Sequence, residues 1–287
     1  MAIPTFLYGT AWKEERTAGL VRSAIQAGFR GIDTANQRRH YFEQAVGDAL
    51  AEELGDGHLT RKNLFLQTKF TYAGGQDHRL PYDPQADFPT QVRQSFASSL
   101  QHLRTDYIDS YVLHGPSVGR GLSDADYQVW KEMEALCREE KTRFIGISNV
   151  SLGQLRMLVQ AAEIPPRFVQ NRCFAATYWD RDVRELCAAQ NMTYQGFSLL
   201  TANPHALGAP GMISIARRHH KTAAQVVFRF AQQIGMLPLT GTTDSNHMQE
   251  DLDSSSFLLA EEEISVMGSG LELRQSLGVS ERVSRMS

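Results

Sequence analysis

Cysteine is scarce. Among 287 residues only Cys137, Cys173 and Cys187 occur, and no two stand at C-x-x-C spacing. An odd, scattered set argues against a disulfide framework and against a zinc site. Cys137 and Cys187 fall in apolar helical patterns and read as small core residues. No apolar stretch approaches the roughly 20 residues that a membrane span needs. The first ten residues lack a basic region leading into a signal-type apolar core, so a cytoplasmic location is expected. Charge of one sign is missing too. The formal net charge is −3, with acidic and basic residues interspersed, which offers neither a nucleic-acid footprint nor a polybasic membrane patch. No low-complexity segment or composition shift divides the chain. One barrel domain over 1–287, with a polar tail from about residue 268, is the expected organisation.

What is present is a repeated alternation. Short β-type apolar runs at Phe6–Thr10, Phe29–Asp33, Leu64–Thr68, Tyr107–Leu113, Arg143–Ile147, Phe168–Gln170, Met192–Phe197 and Met236–Leu239 are each followed by a longer stretch at helical spacing. Gly28 suits a helix stop, and Thr222 with Gln225 three residues later reads as a capping box. Pro238 weakens the eighth run as a strand. Eight strand–helix units in a chain this short predict a parallel sheet closed into an α/β (β/α)8 TIM barrel. An open doubly wound sheet would show G-x-G-x-x-G after its first strand. Gly9-Thr10-Ala11-Trp12 stands there instead.

Chemistry in such a barrel sits at the carboxyl ends of the strands. Those ends carry Asp33, Lys69, His114, Ser148-Asn149, Gln170 and Phe197-Ser198. Each has a plain alternative: Asp33 as a helix cap, Lys69 as a snorkelling stem, His114 as a satisfied core histidine, Tyr41 as a packing aromatic. Together they make a more specific set. Asp33 can pair with a buried lysine. A lysine beside Tyr41 should lower its phenol from the ordinary value of about 10. His114 can hold a carbonyl oxygen. Trp12, Tyr72, Tyr82 and the insert from Gly74 to Pro84 could line a substrate pocket, although a surface loop serves equally well for the insert. Arg38 and Arg39 read as solvated.

At these residues the sequence resembles the aldo-keto reductase family. The resemblance is carried by Gly9–Trp12, Gly28–Ala35, Tyr41-Phe42-Glu43 with Val46-Gly47, Gln67–Lys69, Asp106–Asp109 with Leu113-His114, and Ile145–Asn149. It implies a catalytic tetrad of Asp33, Tyr41, Lys69 and His114, reduction of an aldehyde or ketone, and NADP(H) as cofactor, with NAD(H) as the variant. It implies that Thr10, Ser148, Asn149 and Gln170 serve the nicotinamide end, with Phe197 stacking on the ring where the family usually has tyrosine. Ser198 and Leu200 begin the pyrophosphate contacts. Thr240, Gly241, Thr242, His247 and Asp251 form the adenosine end. There the fixed positive charge common in the family is missing. The stretch between Asp33 and Tyr41 is longer than the family's, and His40 is the alternative donor. Two other readings compete: a Schiff-base aldolase with Lys69 as nucleophile, and a cofactor-binding regulatory subunit with little turnover. No metal is expected, since His114 is the only histidine ending a strand. The expected partner is a small carbonyl substrate, with neither nucleic acid nor membrane, and the chain a monomer or simple homo-oligomer.

Overall fold

The computed structural model describes residues 3–55, 57 and 59–269. Eight parallel strands close on themselves in sequence order. They are β1 Leu7–Gly9, β2 Gly31–Asp33, β3 Phe65–Phe70, β4 Ile108–Leu113, β5 Thr142–Ser148, β6 Phe168–Arg172, β7 Thr193–Phe197 and β8 Leu237–Thr240. Closure runs through Leu7 opposite Leu239 and Tyr8 opposite Thr240. The open-sheet alternative is thereby set aside. Pro238 does sit inside β8, opposite Gly196; its missing N–H costs one ladder donor, and the strand persists because closure pairs it on both sides.

The helices are α1 Thr17–Ala27, α2 Glu43–Gly55, α3 Phe88–Leu103, α4 Asp124–Arg138, α5 Leu152–Ala161, α6 Arg181–Ala189, α7 Pro204–Leu207, α8 Pro210–Arg218, α9 Ala223–Gln233, α10 Ser245–Asp253 and α11 Glu261–Ser269. Their boundaries follow local chemistry. Gly28 ends α1 at φ 118°, a left-handed conformation that suits glycine. The Thr222–Gln225 capping box opens α9, and Ser123–Asp126 and Ser151–Gln154 do the same for α4 and α5. The part of the expected tail at Gly268 and Ser269 is the end of α11; the remainder lies outside the described residues.

Side-chain alternation along the strands separates two packing regions. Leu7, Phe65, Phe168 and Leu237 fill the barrel interior at its amino-terminal end. The larger cluster lies between the barrel's outer face and the helices and includes Tyr8, Ile32, Leu66, Tyr111, Ile145 and Val169. Cys173 and Cys187 are buried within it, and Cys137 packs partly exposed against it. At the α2–α3 contact a Cβ on Gly47 would lie 1.8 Å from the His102 carbonyl oxygen, so glycine is what permits these helices to approach. No described helix is long and apolar enough to cross a membrane.

Candidate active site

The backbone ladder continues one residue beyond several strands and fixes the residues that follow. Thr10 N–H donates to the Asp33 carbonyl, Thr34 to Gln67, His114 to Phe70 and Asn149 to Gln170, at 2.9–3.0 Å. These ends converge on a cavity of about 780 Å³. Three of its residues hold left-handed backbone conformations: Trp12 at φ 61°, Asn149 at 51° and Ser198 at 55°. Non-glycine residues rarely accept this geometry, and it clusters where a scaffold aims side chains at a ligand.

Beneath the cavity floor lies a buried polar network. Lys69 Nζ donates to both Asp33 carboxylate oxygens at 2.7 Å and to the Thr34 carbonyl at 2.8 Å. Lys69 is 0% exposed and Asp33 1%. Asp33 Oδ1 also accepts from Gln67 Nε2 at 2.7 Å and Gln170 Nε2 at 3.0 Å. Gln195 bridges these two amides, accepting from both and donating to Gln67. A helix-cap role for Asp33 fails on distance, because the next helix opens only at Glu43. The three donors of Lys69 are committed and its side chain is not part of the cavity wall. A Schiff-base lysine needs the opposite, a free lone pair facing the substrate.

Tyr41 lies above this pair, with Lys69 Nζ 5.2 Å from its ring centroid. The His114 ring meets it edge-on at 5.9 Å. The phenol is not lowered as the lysine contact suggested. Burial, reinforced by the Asp33 carboxylate, pushes it well above the ordinary range. The Lys69 ammonium is already committed to Asp33 and Thr34, so Tyr41 stays a neutral O–H donor. Burial also draws Lys69 downward against the pull of Asp33. His114 is held down to about 3, by burial first and then by Lys69 and His40. It is therefore a neutral imidazole, with Nδ1 2.7 Å from Thr71 Oγ1. His40 faces Trp12 instead, with ring centroids 4.0 Å apart.

The cavity brings together most of the predicted cofactor residues: Ser148, Asn149, Gln170, Phe197, Ser198, Leu200, Thr240, Gly241, Thr242, His247 and Asp251. Ser148 Oγ donates to the Gln170 carbonyl and Asn149 Nδ2 to the His114 carbonyl. Thr10 is not in the wall; its hydroxyl is tied to the Asp33 carbonyl behind it. Trp12 stands at the cavity, 68% exposed. Tyr72 and Tyr82 do not reach it. Tyr72 hydrogen-bonds Asp126 and packs on Phe88 of α3, and Tyr82 donates to the Thr71 carbonyl; the insert itself packs on the Asn36–Arg38 loop and reaches α3 at Asp83. Lys13, which the sequence did not single out, lines the cavity at 2% exposure, with Nζ 2.6 Å from the Gly241 carbonyl. Burial lowers it to about 8. Arg172 and Glu250 are further wall residues that the sequence did not flag.

This donor set fits a dinucleotide. The Gln170 amide N–H groups are bound to Asp33 and Gln195, which leaves its Oε1 for a carboxamide N–H. Lys13 supplies a cation to which no carboxylate is hydrogen-bonded among the described residues, suited to a phosphate. The Aldo/keto reductase family model matches residues 5–204, more than half of the chain.

The chain belongs to the aldo-keto reductase family.

As such it is an NAD(P)H-dependent oxidoreductase, and NADP(H) is the family's cofactor. It is 28% identical over 244 residues to the glyoxal reductase of Bacillus subtilis (strain 168), covering 85% of this chain and 79% of that protein. It is 29% identical over 255 residues to the 9,11-endoperoxide prostaglandin H2 reductase of Trypanosoma cruzi (strain CL Brener), with 86% and 80% covered. In fold it matches the aldose reductase of Schistosoma japonicum at a TM-score of 0.80 and 24% identity, covering 94% and 89% of the two chains. An aldo-keto reductase complexed with NADPH matches at 0.79 and 22%, with 93% and 84% covered. Among the described residues no three His, Cys, Asp or Glu side chains gather as a metal site would require.

Proposed function

We propose that this aldo-keto reductase reduces an aldehyde or ketone to the alcohol, with Tyr41 as proton donor. The observation carrying this reading is the placement of the Tyr41 ring at the cavity between the Lys69 ammonium and the His114 edge. The nicotinamide cofactor, when bound, would supply the hydride that reaches the carbonyl carbon. The chain's own residues handle the oxygen. Neutral His114 orients it by hydrogen bonding, and Tyr41 gives up its proton as negative charge develops there. Lys69, anchored by Asp33, stabilises the phenolate left behind. Gln170, Ser148 and Asn149 would orient the nicotinamide carboxamide, Phe197 would stack on the ring, and Lys13 would meet the pyrophosphate. The segment Thr240–Asp251 contributes no lysine or arginine, so NADH can compete with NADPH. The two relatives just described carry the names of unlike substrates, a dicarbonyl and an endoperoxide, so they support the reaction class and leave the substrate to the cavity.

Comparing Tyr41→Phe with His40→Asn tests the assignment by stopped-flow reduction of 4-nitrobenzaldehyde. Tyr41→Phe should lower kcat by about 10²–10⁴-fold while NADPH binding stays unchanged. His40→Asn should keep most of the rate. The reverse pattern would transfer the donor role to His40.

A further inference from the structure

Next to the tetrad lies a buried carboxylate that the proposed reaction does not use. Glu43 opens α2, two residues beyond Tyr41, and is 4% exposed. Its Oε1 accepts from Thr68 Oγ1 at 2.5 Å, and Thr68 precedes Lys69 on β3. Its Oε2 lies 3.0 Å from His102 Nδ1 on α3. His102, about one-third exposed, borders a second cavity of about 330 Å³. Tyr41 lines both cavities, so it forms a partition between the cofactor side and the Glu43–His102 side.

We infer that Glu43, oriented by Thr68 and His102, is a positioning residue whose negative charge supports the Lys69 ammonium from the outer side of the barrel wall. The inference rests on Tyr41 being the proton donor. Alternation along β3 points Thr68 outward and Lys69 inward, so Glu43 acts through the strand while Asp33 acts by contact. Burial favours the neutral amine at Lys69, and the carboxylates of Asp33 and Glu43 oppose it. A neutral Lys69 would leave the phenolate developing at Tyr41 without its cation. The titratable groups facing Glu43 are His102 from α3, Lys69 from β3 and Tyr111 from β4, with Arg38 and Arg79 bordering the second cavity.

The test is the pH profile of kcat/KM for 4-nitrobenzaldehyde with NADPH in wild type, Glu43→Gln, His102→Ala and His102→Asn. Removing the Glu43 charge should move the alkaline limb down by about one pH unit, a loss of about tenfold beyond it, while the NADPH Kd stays unchanged. His102→Ala should shift the limb the same way by less. His102→Asn restores an amide donor near Nδ1 and should return the limb to its wild-type position. A Glu43→Gln profile at the wild-type position, with only the thermal midpoint lowered, overturns the inference. If Glu43→Gln does not fold, the His102 pair carries the decision: a shifted His102→Ala limb restored by His102→Asn supports the inference, and a His102→Ala profile coincident with wild type overturns it. Equal rates in wild type and Tyr41→Phe would instead overturn the donor assignment itself.

Discussion

Replacing Asp33 with asparagine should expose the energetics of the buried pair. Lys69 is fully buried and donates to both carboxylate oxygens at 2.7 Å. Two unit charges at that separation attract by about 6 kcal/mol at an effective dielectric of about 20. Asparagine keeps one acceptor for Lys69, Gln67 and Gln170, but its amide N–H₂ group then faces the ammonium. Removing one partner of a buried pair costs about 3–5 kcal/mol, and that is the expected loss near neutral pH. The loss depends on pH. Lys69 already sits below its ordinary value in the folded chain, and without Asp33 it falls farther beneath its unfolded value of about 10.4. Between those values the unfolded chain binds the extra proton, so the variant gains stability as pH rises through that window. Urea unfolding followed by tryptophan fluorescence at pH 6 and pH 9 measures both effects. The deficit should shrink by at least about 1 kcal/mol at the higher pH. A deficit below about 1 kcal/mol, or one equal at both pH values, would refute the reasoning, because a charge left unpaired in that interior must either be carried at a cost or lose its proton.

Two further outcomes follow from the cavity's other titratable groups. Lys13, lowered to about 8 by burial, should attract the cofactor's phosphates as a cation. Wild-type affinity for NADPH should therefore weaken above about pH 8 in calorimetric titrations, while Lys13→Met binds weakly throughout with no such step. A wild-type affinity flat across that range counts against the role. Asp251 is raised to about 6 by burial. Its folded form binds more protons than the unfolded chain between the ordinary carboxyl value and 6, so its ionisation opposes folding above that window. Asp251→Asn should raise stability at pH 7.5 by on the order of 2–3 kcal/mol and leave it near wild type at pH 4. Equal effects at both pH values would exclude this explanation.

The architecture was readable because strand-forming runs are short, apolar and regularly spaced, and because a barrel leaves them no other partners than one another. The gathering of Asp33, Lys69 and His114 at one end of the barrel was readable for the opposite reason: they end apolar runs where a core has no use for charge. Lys13 was hidden. It lies in the charged run Lys13-Glu14-Glu15-Arg16, which reads as solvated, and only its contact with Gly241, 228 residues away, reveals its burial. Tyr72 and Tyr82 lie off the cavity because nearness to Lys69 in sequence does not say which way a side chain turns: Tyr72 turns onto Phe88 of α3 and Tyr82 back onto the Thr71 carbonyl. The four-residue α7 is too short to show an apolar period, and α8, which carries Met212, Ile215 and Ala216 at helical spacing, is an extra helix that an alternation of one strand with one helix does not call for. Pro204 and Pro210 at their first turns were the available signal.

The three glutamines beneath the site have a consequence for how this protein can change. Gln67, Gln170 and Gln195 form a neutral dipolar sheet between the oily plug of the barrel and the charged pair above it. Gln67 and Gln195 satisfy each other in both directions, so exchanging either for leucine strands a hydrogen-bonding group of its partner in the dark. The route from here to an all-apolar barrel therefore passes through intermediates worse than either end. Lineages descending from this chain are free to redraw their loops and exchange substrates, while the layer beneath stays closed to single-step revision.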